Sequence, residues 1–435
     1  MEYECLKQKI EEKTARIGII GIGYVGLPLA VEIARAGYDV TGFDVQQKKV
    51  DWLNSGHNYI GDVVDSDLTA LVQTGRLRGT IDYAALADCD CVSICVPTPL
   101  DVYQQPDISY VQASAESVAR YAHPGMLIIL ESTTYPGTTE EIIQPLLEEK
   151  GLQVGKDVFL AFSPERVDPG NKQYKTQNTP KVVGGVTKAC TSLAAQLYGN
   201  VLAGGICKVS SPKVAEMEKI LENTFRNINI ALANEMAILC DRMGIPVWEV
   251  IEAAKTKPYG YMAFYPGPGL GGHCIPLDPF YLTWKARAYN YHTRLIEIAG
   301  EINNGMPEYI IGRVSRILNR QKKPLNGSKI FLLGVAYKPD IDDIRESPVL
   351  KILSLLEKEG AEIVYNDPFI PSFVHEGKSY TSIPLDVDTL AAADAVVITT
   401  NHSAYDPTFI TAHARAVFDT RGLTRNVEAS HVEQL

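Results

Sequence analysis

At 435 residues, 46% hydrophobic and 21% charged, the chain has a globular composition and the length of two or three domains. A formal charge of −11, with no basic tail, argues against a general nucleic-acid binder. Eight cysteines are too sparse for a disulfide scaffold, no apolar run is long enough to cross a bilayer, and the mixed charges of "MEYECLKQKIEEKTAR" do not suit a signal peptide. The expectation is a cytoplasmic protein with neither membrane nor nucleic acid as partner.

The first predicted unit is "RIGIIGIGYVGLPLAVEIARAGYDVTGFD", residues 16–44. A short apolar strand runs into Gly21, Gly23 and Gly26, a helical pattern follows as far as Gly37, and a second strand ends at Asp44. In such a unit the first glycine makes the turn, the second admits a pyrophosphate to the backbone and the third lets helix and strand touch. Tyr24 and Val25 fill the two positions between. The helix N-terminus offers N–H groups and partial positive charge to phosphates. Asp44 suits a ribose 2′-OH and would repel a 2′-phosphate, so NAD is expected rather than NADP. Lys49 reads either as an adenosine-end contact or as a solvated helix charge.

Alternation continues. "CDCVSICVP" reads as a buried strand holding Cys89, Cys91 and Cys95, with no second half of a zinc site, and no metal is expected. "DCVSICVPTP" and "MLIILESTTYPGTT" end in small hydroxyl residues at the carboxyl ends of strands, where such folds bind ligands. Thr98, Ser132 and Thr133 are candidates for the nicotinamide side, with capping and turn formation the alternative reading.

Residues 211–244 predict one long helix, opened by Ser211 and Pro212 and closed by Gly244. It is long enough to span two domains or to form a dimer seam. Lys219, Asn223 and Arg226 fall at i, i+4 and i+7 on one face, and the apolar run beyond them implies burial. Then "PGPGLGGHCIPLDP", 266–279, sets Cys274 in a loop of glycine and proline, where Gly271 and Gly272 remove side chains that would cover the thiol.

Residues 329–367 repeat the opening pattern, with Gly334, Gly360 and Asp367 marking strand end, helix end and second strand end. Gly334 to Gly360 spans 26 positions against 16 for Gly21 to Gly37, and the extra ten fall in "YKPDIDDIRE". That loop lacks the further glycines of a dinucleotide site but carries Lys338 and Arg345, cations suited to phosphate oxygens. "ADAVVITT" supplies a later strand. The expected fold is α/β: two Rossmann-like domains, 1–208 and 324–435, joined by a central helical domain, 209–323, with a long spanning helix.

Together, "GIGYVGLPLA", "ESTTYPGTT", "FSPERVDPGN", "EKILENTFRNINIALANE", "GPGLGGHCIPLDP" and "GVAYKPDIDDIRES" resemble the UDP-sugar 6-dehydrogenases, most closely the UDP-N-acetylglucosamine branch. The segment Lys257-Pro258 and His273 before the cysteine depart from the UDP-glucose enzymes. The resemblance implies NAD-dependent four-electron oxidation of C6, a dimerising central domain and a C-terminal domain that holds UDP. By matching motif it makes Cys274 the nucleophile and Lys219 the oxyanion-stabilising lysine. Asn223 and Asp278 organise water and lysine, and Glu165 serves thioester hydrolysis. Residues from Tyr265 through Gly267 and Gly269 to Gly271 would contact the nucleotide, Tyr337 and Lys338 the substrate, and Arg345 the cofactor phosphates. Arg166 and Lys257 are candidates near the substituent at C2, or surface charges. His273 is a rival general base, though a packing or substrate contact suits it better. UDP-glucose and UDP-N-acetylmannosamine remain alternative substrates. A non-catalytic nucleotide-binding protein is a reading of another class, and a two-electron 3-hydroxyacid dehydrogenase would leave the cysteine loop without a use.

Overall fold

Eight short strands build the first sheet, the central ones nearly continuous apolar runs. The eight are β1 (Arg16–Ile20), β2 (Asp39–Phe43), β3 (Leu77–Thr80), β4 (Cys91–Ile94), β5 (Leu127–Leu130), β6 (Phe159–Phe162), β7 (Lys181–Gly185) and β8 (Ile206–Val209). In the computed structural model, which describes residues 1–101, 105–168, 170–171, 173–272 and 274–435, their order is β3-β2-β1-β4-β5-β6-β7-β8. All neighbours are parallel except β6 and β7. Strands buried on both faces suit parallel pairing under flanking helices, and β4, β5 and β6 have every residue buried. The turn back at β1/β4 is the switch point at which such sheets bind nucleotides.

The second sheet contains β9 (Lys329–Leu333), β10 (Glu362–Asn366), β13 (Ala395–Ile398), β14 (Val417–Asp419) and β15 (Val432–Gln434), all parallel, in the order β10-β9-β13-β14-β15. The strands β11 (Ser372–His375) and β12 (Lys378–Thr381) form a separate antiparallel pair. Thus the repeat read from residues 329–367 is a second α/β sheet, and its inserted loop lies between β9 and the helix Pro348–Lys358.

By density of contacts the chain divides into two compact units, Met1–Glu222 with Phe280–Tyr291, and Asn223–Pro279 with His292–Leu435. The long helix runs Pro212–Met243, 32 residues or about 48 Å. The Ser211 hydroxyl accepts from the Val214 N–H at 3.4 Å, as its predicted capping role requires. Its buried stripe is Glu216, Ile220, Asn223, Asn227 and Asn234, so Arg226 falls past the edge and is exposed, contrary to the single face expected. The apolar run is also not wholly covered. Phe225, Leu232, Met236, Leu239 and Met243 are exposed on the opposite side. Among the described residues, no helix is long and apolar enough to cross a membrane.

Candidate active site

In the first unit the three glycines divide their work as the spacing predicts. Gly21 has φ +88°, and its N–H donates to the Phe43 carbonyl at 2.7 Å, joining the turn to β2. A Cβ at Gly26 would lie 1.9 Å from the Gly21 carbonyl oxygen, so the helix Gly26–Arg35 starts hard against the turn. A Cβ on Gly23 would meet nothing within 4 Å, which leaves its backbone open to a ligand. Tyr24 is exposed, Val25 half-buried, and no side chain caps the helix.

Asp44 is buried at the end of β2. Its carboxylate accepts from the Ile22 N–H at 3.3 Å and the Gln46 N–H at 3.0 Å, and pairs with Lys49 Nζ at 3.3 Å. Lys49 is thus a counter-ion to Asp44, the acid expected to meet the ribose. A closed third glycine, an open second one and a fixed acid at the end of β2 fit a dinucleotide.

Ser132 Oγ donates to the Val96 carbonyl at 2.7 Å and the Ile94 carbonyl at 3.3 Å, so it laces the ends of β4 and β5 together. The Thr98 carbonyl accepts from Tyr281 Oη, and Thr133 is half-buried. Cys89, Cys91 and Cys95 are buried thiols; burial pushes Cys89 up to about 12 and the other two well above the ordinary range.

Also in this unit, buried Lys219 donates from Nζ to the Glu165 backbone carbonyl at 2.5 Å. The Glu165 carboxylate accepts the N–H groups of Arg166 at 2.8 Å and Val167 at 2.7 Å, which folds the loop around it. Arg166 is no free surface charge. It donates to the Pro180 carbonyl at 2.7 Å and pairs with Glu222 and, at 3.4 Å, with Glu218. Burial and the adjacent Glu222 push the Glu218 carboxyl up to about 7; burial would raise Glu222 too, but hydrogen bonds from Arg166 and Glu218 together with the charges of Arg166 and Lys219 keep it below its ordinary value. Beneath the loop lies a cluster that the sequence did not disclose. Buried Lys181 donates to Glu131 at 2.6 Å and to the Pro164 carbonyl at 3.2 Å, and Tyr198 Oη donates to Glu131. Burial works against the Lys181 charge, yet the Glu131 carboxylate beside it holds its pKa above the ordinary value.

The cysteine loop belongs to the second unit. Cys274 is exposed, and its carbonyl accepts from the Leu277 N–H at 3.2 Å and the Asp278 N–H at 2.9 Å, a turn that opens the helix Asp278–Ala286. Asp278 is buried and accepts from Asn223 Nδ2 at 2.6 Å, so these two predicted residues meet. Asn227, unforeseen, donates to the Ile275 carbonyl at 3.1 Å. His273 lies outside the described residues.

The glycines of this loop also have close neighbours. A Cβ at Gly271 would lie 2.5 Å from Tyr337 Cβ, and one at Gly272 would lie 2.9 Å from the Tyr337 ring. Their bareness admits Tyr337, from the loop after β9, beside an exposed thiol. Gly267 is similarly filled by Arg421, and Gly269 by Pro348 and the Asn303 carbonyl. Tyr265 stacks on Trp248 at 5.9 Å, and its hydroxyl donates to Glu252 at 2.9 Å. Lys257 is exposed, 5.1 Å over the Tyr259 ring. Lys338 is half-buried, and Arg345 grips Asp343 through two bonds of 2.9 and 2.6 Å.

Arg421 was missed. It follows β14, donates Nε to the Thr399 carbonyl at 3.0 Å beyond the end of β13, and faces Gly267. Burial lowers its pKa to about 10, opposed by Asp419, so it stays a cation at neutral pH. The clue was an arginine just past the apolar "ARAVFD" run, at a strand's carboxyl end. Asp367, the counterpart of Asp44, accepts from the N–H groups of Val335 at 2.7 Å and Ala336 at 3.1 Å and from His402 Nε2 at 3.0 Å. Burial would raise its pKa, but these donors hold it below the ordinary value. The Asp340 N–H in turn donates to His402 Nδ1 at 3.0 Å.

Comparison with known proteins agrees with these features. Models of the UDP-glucose/GDP-mannose dehydrogenase family match over three stretches: the NAD binding domain at 15–202, the central domain at 213–305 and the UDP binding domain at 331–426. A UDP-N-acetyl-D-glucosamine 6-dehydrogenase of Pseudomonas aeruginosa is 35% identical, over 90% of this chain and 92% of its own. A UDP-N-acetyl-D-mannosamine dehydrogenase of Pyrococcus horikoshii is 37% identical over 90% of each chain. A solved UDP-D-ManNAc dehydrogenase structure from Pyrococcus horikoshii superposes with a TM-score of 0.88 at 34% identity, covering 96% of this chain and 98% of that one. Fold, glycine turn and relatives converge, and the chain belongs to the UDP-glucose/GDP-mannose dehydrogenase family as an NAD-dependent oxidoreductase.

Proposed function

We propose that the protein oxidises C6 of UDP-N-acetylglucosamine from alcohol to carboxylate through a covalent intermediate on Cys274. The observation that carries this reading is the exposed thiol in a loop held by the buried Asn223–Asp278 pair. NAD supplies the hydride acceptor: one alcohol, one water and two NAD⁺ become one carboxylate, two NADH and three protons. Lys219 takes up the alcohol proton, and its cation then steadies the oxyanion; Asp278 and Asn223 order water. Cys274 adds as thiolate to the aldehyde carbon, which yields a thiohemiacetal that can lose a second hydride and become a thioester. Glu165 then assists water in releasing the acid. Asp44 orients the ribose hydroxyls, and Gly23 leaves room for the pyrophosphate.

On the nucleotide side, Arg421 and Lys338 serve the diphosphate, and Tyr265, Gly267, Gly269, Gly271 and Tyr337 shape the pocket. Arg345 and Arg166 are held by acids of their own and act by ordering their loops. In this reading residues 1–208 bind NAD, 209–323 dimerise and carry the lysine and cysteine, and 324–435 bind UDP. A second copy of the chain would cover the exposed stripe Phe225, Leu232, Met236, Leu239 and Met243, and the enzyme would work in the cytoplasm.

The relatives named above act on sugars epimeric at C2, so the decisive assay offers purified protein UDP-N-acetylglucosamine, UDP-N-acetylmannosamine and UDP-glucose in turn. Two NADH per sugar with acid product supports the mechanism, and the highest kcat/KM identifies the substrate. One NADH per sugar refutes it.

A further inference from the structure

Three buried asparagines form a one-way amide relay behind the cysteine loop. The Gly267 N–H, which can only donate, meets Asn234 Oδ1 at 2.9 Å. That fixes the orientation of Asn234, whose Nδ2 donates to Asn303 Oδ1 at 2.9 Å. Asn303 Nδ2 donates onward to the Asn227 carbonyl at 3.1 Å and approaches its Oδ1 at 3.4 Å. Asn227 Nδ2 ends the relay on the Ile275 carbonyl at 3.1 Å. Asn227, Asn234 and Asn303 are at most 2% exposed. Burying three amides is unfavourable unless every group is paired, and a paired network in low dielectric fixes a single geometry. Here it fixes both ends of one loop: Gly267 opens it, and Ile275 follows the cysteine.

We infer that Asn234 and Asn303 are positioning residues for Cys274, acting through the loop and serving the second oxidation more than the first. The inference rests on the proposed role of Cys274 as nucleophile. A displacement of the thiol by about 1 Å is enough to cost on the order of a hundredfold in rate, whereas the first hydride loss does not involve sulfur.

The test uses full-length Asn303→Leu and Asn234→Leu, with Asn303→Asp as the variant of unchanged shape if the leucine chains do not fold. With NAD⁺ and the preferred UDP-sugar in excess, NADH per sugar is counted and aldehyde is trapped with hydroxylamine. The expected result is a fall from two NADH toward one, trapped aldehyde, acid formation down by about tenfold or more, and an unchanged dissociation constant for NAD. A general loss of stability would lower both oxidations together. A folded variant with wild-type kcat and two NADH overturns the inference. If the wild-type protein itself makes one NADH, the reading of Cys274 has failed. Alkylation of Cys274 by iodoacetamide, in a Cys5→Ser, Cys207→Ser background, then judges the relay alone: a rate changed severalfold supports it, and an unchanged rate overturns it.

Discussion

Adding one methyl group at Gly23 and at Gly26 should give opposite signatures. At Gly26 the new Cβ would sit 1.9 Å from the Gly21 carbonyl oxygen, a backbone atom that cannot move aside without opening the turn. Such overpacking destabilises by about 3 kcal/mol or more, roughly 6–12 °C in melting temperature for a unit of this size. At Gly23 nothing lies within 4 Å, and φ is not in the left-handed region, so Gly23→Ala should melt within about 2 °C of the parent. In the proposed reading the same methyl stands in the way of the pyrophosphate. At NAD concentrations 100 times the parent's dissociation constant, bound cofactor adds about 2.7 kcal/mol of stability. Tenfold weaker binding leaves about 1.4 kcal/mol. Thermal melts of both variants with and without NAD, backed by calorimetric titration, separate the cases. A Gly23→Ala protein that keeps the full NAD-induced rise, or a Gly26→Ala protein that melts like the parent, would refute the division of labour.

Arg421→Ala should weaken UDP binding by about tenfold or more in calorimetry while leaving NAD binding alone, because it removes a charged donor worth about 1.5–3 kcal/mol; unchanged UDP affinity would place the diphosphate elsewhere. Gly271→Ala drives a Cβ to 2.5 Å from Tyr337 and should lower stability by about 1–3 kcal/mol, measured by urea denaturation. Glu218 holds its proton up to about pH 7, above its value in the unfolded chain, so the stability tied to its protonated form is complete below about pH 4.5 and lost as pH rises through 7. Glu218→Gln cannot ionise; its melting temperature should gain on the parent progressively from pH 5 to pH 8, and a constant difference would contradict the shift.

Much of the fold could be read because parallel strands announce themselves as short apolar runs, and the Gly21-x-Gly23-x-x-Gly26 spacing has a steric reason at two of its three glycines. The candidate residues stood out by type: a thiol among glycines, an acid at a strand end, a lysine on a helix that buries it. What escaped depended on partners distant in sequence. Asn227, Asn234 and Asn303 look like solvated helix positions until a loop is seen to need them. Lys181 looks like a charge at a strand's start until Glu131 and Tyr198 enclose it. No local pattern at Gly271 and Gly272 announces Tyr337, a ring that two helices and a strand separate from them in sequence. Arg226 was misplaced because the buried stripe centres on Asn223 and Asn227 rather than on Lys219.

The acid that ends β10 bears on cofactor engineering. Asp367 accepts from four backbone N–H groups, those of Val335, Ala336, Phe369 and Ile370, and from His402, and that imidazole also receives the Asp340 N–H, so the carboxylate locks the loop bearing Tyr337 and Lys338 in place. Asp44 is held in the same way, by two backbone N–H groups and Lys49, so the acids do not distinguish the two sheets; the inserted loop and the missing glycines after Gly334 do. Attempts to change cofactor preference belong at Asp44 and its partner Lys49, and can be made there without disturbing the nucleotide-diphosphate half of the chain.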